Sequence, residues 1–164
     1  MSQSELSSIC FTGSAEKPVD ERRRIYLPAV YTNQLTQRVF HVTRGQDRSL
    51  FIYPNEIFVV KAETLNRSIG FRGQPDKEKR LYFLETMAGA HALKCDEQSR
   101  ICLPQEFLDY ADIKDKALII GGVDKLILMN PDIYRTLLQA SESTEEERVH
   151  RYGWGEEPGL DGPE

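Results

Sequence analysis

Residues 20–28 read Asp-Glu-Arg-Arg-Arg-Ile-Tyr-Leu-Pro, and residues 96–104 read Asp-Glu-Gln-Ser-Arg-Ile-Cys-Leu-Pro. Six of the nine positions are identical at a spacing of 76 residues. After a one-residue slip the correspondence continues: Gly45 matches Gly122, Asp47 matches Asp124, Arg48 matches Lys125 and Pro54 matches Pro131. A repeat of this length predicts two copies of one structural unit within the 164 residues. A chain of that size buries roughly 68–70% of its unfolded surface, so it needs no disulfide or metal staple.

Each copy predicts the same order of elements. A strand comes first, Ile9–Thr12 with Val19 in one copy and His91–Cys95 in the other. The Asp-x-x-x-Arg segment is a loop, because an Asp carboxylate accepts readily from N–H groups two or three residues on. Strands Arg24–Leu27 and Arg100–Leu103 follow. Pro28 and Pro104 then open short helices, since Pro at the first helical position loses no hydrogen bond. Hairpins follow at Val39–Arg44 with Ser49–Tyr53, and at Ala117–Ile120 with Lys125–Met129, each turning through Gly and Asp. Pro54 and Pro131 lead into helices at residues 55–68 and 132–140. A linking helix at 76–87 would turn Leu81 and Leu84, with Tyr82 and Phe83, toward the core. The fold class is α+β. A four-stranded unit has exposed edges and little core, so edge-to-edge pairing of the two units is expected. The division is residues 1–76, residues 77–140, and an acidic, flexible tail at 141–164 in which Tyr152 and Trp154 could dock.

The net charge of −5 argues at first against a polyanion partner. Its distribution reverses that. The tail holds eight acids and two bases, which leaves residues 1–140 at +1. Lys17–Arg48 alone carries +4, from seven bases against three acids. Apolar runs such as Ile57–Val60 and Ala117–Ile120 are far shorter than the ~20 residues of a membrane span. Cys10, Cys95 and Cys102 lack metal or redox spacing and read as free, at least partly buried thiols. His41, His91 and His150 lack ligand spacing, and no phosphate-loop, dinucleotide or nucleophile-elbow motif occurs. No enzyme activity, cofactor, metal or small-molecule substrate is expected.

The doubled strand–Asp-x-x-x-Arg-Ile-x-Leu-Pro–short helix–hairpin resembles the MraZ family, whose chains carry two AbrB-like swapped-hairpin modules. Phe11-x-Gly13, Leu81…Cys95-Asp96 and Tyr110-Ala111-x-Ile113 extend the likeness over residues 9–140. The resemblance implies tandem double-split β-α-β modules forming a pseudo-dimeric, barrel-like core with flanking helices. It also implies a cytoplasmic, nucleoid-associated transcriptional regulator. Such a protein would form a ring-shaped homo-oligomer on repeated promoter sites of the division and cell-wall gene cluster. The Asp-x-x-x-Arg loops would face double-stranded DNA, which points to Asp20 with Arg24 and Asp96 with Arg100. Three departures stand out. Arg23 and Ser99 occupy the position where the family usually has Gly before the motif Arg. Gln98 replaces the basic residue that Arg22 keeps. Ile127 and Met129 replace an acidic-aromatic pair.

Arg22, Arg23 and Arg24 form a compact cation cluster suited to phosphate oxygens or to guanine O6 and N7. Lys17, Arg44 and Arg48 would extend the phosphate contacts if the hairpin lies beside the loop. Arg24 and Arg100 have a second, compatible role as ion-pair partners that lock Asp20 and Asp96. Two other functions fit the same residues: a ring-forming protein-interaction scaffold, and an AbrB-like antitoxin that meets its toxin through the acidic tail.

Overall fold

The computed structural model describes residues 8–69 and 76–152. The chain divides into two compact units, Met1–Pro131 and Asp132–Glu164. In the first unit the chain runs β1 (Ser14–Pro18), β2 (Arg24–Tyr26), α1 (Ala29–Thr32), β3 (Val39–Arg44), β4 (Leu50–Pro54) and α2 (Asn55–Ser68). It continues through α3 (Lys77–Gly89), β5 (His91–Lys94), β6 (Arg100–Cys102), α4 (Gln105–Tyr110), β7 (Lys116–Gly121) and β8 (Leu126–Met129). The fold is α+β, as the repeat predicts.

Six strands form one antiparallel sheet in the order β1-β7-β8-β4-β3-β5, and β2 pairs with β6 in a separate ribbon. The order shows two interleaved copies. β1 of the first copy pairs with β7 of the second, and β5 of the second pairs with β3 of the first. β4 meets β8, and β2 meets β6. Exchanging the copies reproduces the whole pairing scheme, so a pseudo-two-fold axis passes through the β4–β8 and β2–β6 seams. Single hydrogen bonds obey it too: Val19 N donates to Asp115 O at 2.8 Å, and Cys95 N donates to Arg38 O at 2.8 Å. The copies therefore exchange outer strands, and do more than abut edge to edge. A three-residue β2 has no partner of adequate length within its own copy, and the swap supplies one. The sheet stays open, ending on β1 and β5, so the core is not a closed barrel.

Period-two alternation aims Phe40 and Val42, Leu50 and Ile52, Ala117 and Ile119, and Leu126 and Leu128 at one face. All eight are fully buried. They join Ile25, Leu27, Ile101 and Leu103 from the two repeated motifs in one core. Burying each of these side chains other than Ala117 stabilises the fold by about 1.5–3 kcal/mol before entropy is counted.

Three sequence expectations are corrected. The first strand is Ser14–Pro18, not Ile9–Thr12. Its sequence, Ser-Ala-Glu-Lys-Pro, is polar because it forms an edge, where charge and Pro discourage further pairing. Ile9 and Phe11 are instead buried beside it, with Phe11 bridging Val123. Second, Leu81, Tyr82 and Leu84 do not enter the core and are 42–60% exposed. Helix α3 is an outer layer against α2 and β3. Third, only Cys95 is buried, whereas Cys10 and Cys102 are exposed thiols.

In the second unit, α5 (Pro131–Gln139) and α6 (Glu145–Tyr152) are the described helices. Thr144 and Glu147 form a reciprocal capping box, with N···O distances of 2.8 and 3.2 Å, that starts α6 within the segment read as tail. Trp154 lies outside the described residues. No helix among the described residues is long and apolar enough to cross a membrane.

Gly121, at the end of β7, shows how closely the copies interlock. Its N–H donates to Gly13 O at 2.8 Å, and a Cβ there would lie 2.3 Å from Thr12 N. Backbone cannot yield as a flexible side chain does. Gly121→Ala should therefore cost about 2–3 kcal/mol. That corresponds to a fall of roughly 5–10 °C in the thermal midpoint by calorimetry. A midpoint equal to wild type would contradict the close approach.

Candidate nucleic-acid interface

Each motif folds into the same locked turn. Asp20 N donates to Arg24 O at 3.0 Å, and Arg23 N donates to Asp20 O at 2.9 Å. This is a three-residue hairpin loop whose last position requires a left-handed residue. Asp20 Oδ1 accepts from the N–H groups of Arg22 and Arg24, both at 2.9 Å. Its Oδ2 accepts from Arg24 Nε at 2.7 Å. The second motif repeats every contact. Asp96 Oδ1 accepts from Gln98 N and Arg100 N at 2.9 Å, and Oδ2 accepts from Arg100 Nε at 2.9 Å. One carboxylate thus satisfies two backbone donors and orients one guanidinium, using nearly all of its acceptor capacity.

The left-handed positions are Arg23, at φ 61°, and Ser99, at φ 62°. Glycine adopts this conformation without penalty, whereas a residue with a Cβ costs roughly 1–2 kcal/mol there. Each of these residues also couples the copies. Leu27 N donates to Ser99 O at 2.7 Å, and Leu103 N donates to Arg23 O at 3.0 Å. The β2–β6 ribbon is thereby extended into the opposite loop at both ends.

In the ribbon Ile25 and Ile101 face inward. Arg24, Tyr26, Arg100 and Cys102 face outward, with Arg24 opposite Cys102 and Tyr26 opposite Arg100. Antiparallel pairing places the two loops at opposite ends of this outward face. Lys17 joins it, its Nζ 5.4 Å from the Tyr26 ring centre. Arg22 and Arg23 are exposed at the first loop, and their side chains pair with no acid among the described residues. Arg44 and Arg48 go elsewhere: the Arg44 guanidinium lies 5.1 Å from the Tyr110 ring centre, and Arg48 Nε donates to Tyr110 O at 3.4 Å. The Tyr110 hydroxyl closes that cluster on Gly45 O at 2.7 Å.

The two loops differ in their surroundings. Beside the first lies a cleft of about 360 Å³, lined in part by Asp20, Glu21, Asp109, Asp112, Arg23 and Lys114. At the second, Ser99 Oγ accepts from Arg38 Nη2 at 2.8 Å, with Cys95 Sγ 3.8 Å from the same nitrogen. Sequence reasoning left Arg38 out of the site. The signal for it lies in the repeat, which sets Arg38 against Asp115, a reversal of charge at equivalent positions. His41 and His91 lie on β3 and β5, in the sheet and not in the ribbon. His41 stacks on Phe58 with ring centres 4.1 Å apart, and burial pushes its pKa down. His91 is exposed, 3.4 Å from Glu106. Among the described residues no group of three potential ligands could hold a metal ion.

Two interleaved copies, each presenting an aspartate-locked arginine loop on a shared outer ribbon, define a tandem swapped-hairpin protein. The family model described as "MraZ protein, putative antitoxin-like" matches twice, over residues 10–74 and 86–151. The chain belongs to the MraZ family of transcriptional regulators. A protein of Rhodococcus jostii named "Transcriptional regulator MraZ" is 32% identical over 132 residues, covering 80% of this chain and 89% of its own. A protein of the same name from Finegoldia magna is 33% identical over 108 residues, covering 66% and 72%. Another from Corynebacterium efficiens is 30% identical over 133 residues, covering 81% and 90%.

Both motif carboxyls sit below the usual aspartate pKa. For Asp20 the Arg24 N–H is the largest cause, with the Arg24 guanidinium and Arg22 N–H adding to it. For Asp96 the Arg100 N–H leads, followed by its guanidinium. A depressed folded-state pKa stabilises above the unfolded value of about 3.9 and is lost as pH falls through the folded value. Replacing both aspartates by Asn should flatten the stability–pH curve below about pH 4 while leaving its slope near neutrality unchanged. Denaturant midpoints across pH would reveal equal acid limbs if the lock were inactive. The left-handed residues give a second check. Arg23→Gly should raise the thermal midpoint by about 2–4 °C, from relief of roughly 1 kcal/mol. Ser99→Gly should gain less, because it also loses the Arg38 hydrogen bond.

Proposed function

We propose that this chain regulates transcription by binding double-stranded DNA through the outer face of the β2–β6 ribbon and its two loops. The carrying observation is the same aspartate-locked loop formed twice, at opposite ends of one outward face, with the Arg22 and Arg23 side chains at one end pairing with no acid among the described residues. A two-stranded ribbon fits a major groove about 12 Å wide. Arg24 and Arg100 each spend Nε on their aspartate, which fixes the guanidinium and leaves its remaining N–H groups for DNA. Arg22, Arg23 and Lys17 supply phosphate contacts. Arg44 and Arg48, held at Tyr110, reach DNA only as an outer contact.

The modules span residues 1–76 and 77–140 in this reading. One subunit offers few cations, so a ring-shaped homo-oligomer on repeated promoter sites of the division and cell-wall gene cluster would supply affinity through avidity. The protein acts in the cytoplasm, on the nucleoid. A second reading draws on the acid-lined cleft beside Arg23: a basic segment of a partner protein, a toxin among them, would seat there in place of DNA.

Fluorescence anisotropy with a labelled duplex from the promoter of the chain's own gene separates the two. Binding should weaken steeply with salt, and Arg22→Ala with Arg23→Ala should reduce the log–log slope by about one per lost phosphate contact. Wild-type protein that retards no duplex at low salt, while retaining a co-purifying basic protein, would overturn the DNA reading.

A further inference from the structure

We infer that Arg38 is the phosphate-contacting cation of the second loop, supplied by the first repeat across the strand swap. This rests on the DNA reading above and adds a residue to it. The second loop has no free base of its own, since Gln98 and Ser99 stand where the first loop has Arg22 and Arg23. Arg38 fills that gap from the other copy. It is exposed, and its Nη2 donates to Ser99 Oγ at 2.8 Å. The other guanidinium N–H groups have no acid partner among the described residues.

Its placement is built in. Arg38 O accepts from Cys95 N at 2.8 Å, one residue before the second motif. The residues before it are held by the buried Glu56, whose Oε1 accepts from Thr36 Oγ1 at 3.0 Å and Gln37 N at 3.1 Å. Across the pseudo-two-fold axis the same position is Asp115, beside a first loop whose left-handed residue is already an arginine. Each loop therefore has one guanidinium at its left-handed corner. The first has it directly from Arg23, and the second has it from Arg38 through Ser99. Without Arg38 the two ends of the ribbon would differ sharply in charge, and the second loop would offer a phosphate only an arginine already tied to an aspartate, Arg100.

The test uses the full chain and the same labelled promoter duplex, in an anisotropy salt series. Arg38→Gln keeps a donor for Ser99 but removes the charge, so fold and midpoint should be retained. Its affinity should fall roughly tenfold. Its salt slope should drop by about one per engaged subunit. Adding Ser99→Arg to Arg38→Gln should regain most of both, because it gives the second corner the direct arginine of the first. Wild-type affinity and slope in Arg38→Gln, or no recovery in the double variant, would overturn the inference while the DNA reading stands. A wild-type protein that binds no duplex would remove both.

Discussion

The structure depends on a pairing that neither repeat can make alone. β2 and β6 have three residues each, too short to hold their register in isolation. Each is satisfied only by its counterpart in the other copy, and each ladder is completed by the carbonyl of a left-handed residue, Arg23 or Ser99. Those carbonyls point correctly because an aspartate gathers the turn, with two backbone N–H groups on one oxygen and a guanidinium on the other. The buried Ile25 and Ile101 then seat the ribbon on the sheet, and the outward residues follow by alternation. Lock, ribbon and exposed arginines form one chain of cause, from a single Asp-x-x-x-Arg spacing used twice.

Much of this was legible in the sequence, and the limits have physical causes. Repetition of Asp-x-x-x-Arg-Ile-x-Leu-Pro gave the loops, the ribbon strands, the short helices and the α+β class. The hairpins and α2 followed from Gly-Asp turns and from Pro54. β1 escaped because an edge strand is polar, so Ser14–Pro18 lacks the apolar signal that Ile9 and Phe11 carry without being strand. The swap came from the family resemblance and not from local patterns, which specify strands and not their partners, since both edge-to-edge and interleaved pairing bury the same residues. α3 misled because Leu81, Tyr82 and Leu84 suggest a core-facing helix, while the core is already filled from the sheet and ribbon.

At the site, residues on the motif itself could be placed from sequence, and residues brought in by topology could not. Asp20, Arg24, Asp96 and Arg100 lie where their spacing put them. Lys17 meets the ribbon through Tyr26, whereas Arg44 and Arg48 are drawn to Tyr110 on a helix of the other copy. Arg38 is remote in sequence from the second motif and reaches Ser99 only because β3 and β5 are neighbours across the swap.

Arg23 and Ser99 sharpen the charge argument. Each holds a conformation that glycine would adopt at lower cost, and each is kept there by the contacts around it. For Ser99 the compensation is visible: its hydroxyl accepts from a guanidinium that belongs to the other copy. For Arg23 the compensation lies in the backbone, whose carbonyl accepts from Leu103 N of the other copy at 3.0 Å, while its exposed side chain pairs with no acid among the described residues. The net charge of −5 does not describe this local environment. Screening confines the influence of exposed charges to about 8–10 Å at physiological ionic strength. The local charge at the first loop is therefore set by the arginines together with Asp20, Glu21, Asp109 and Asp112 beside them, and not by the sum over the chain.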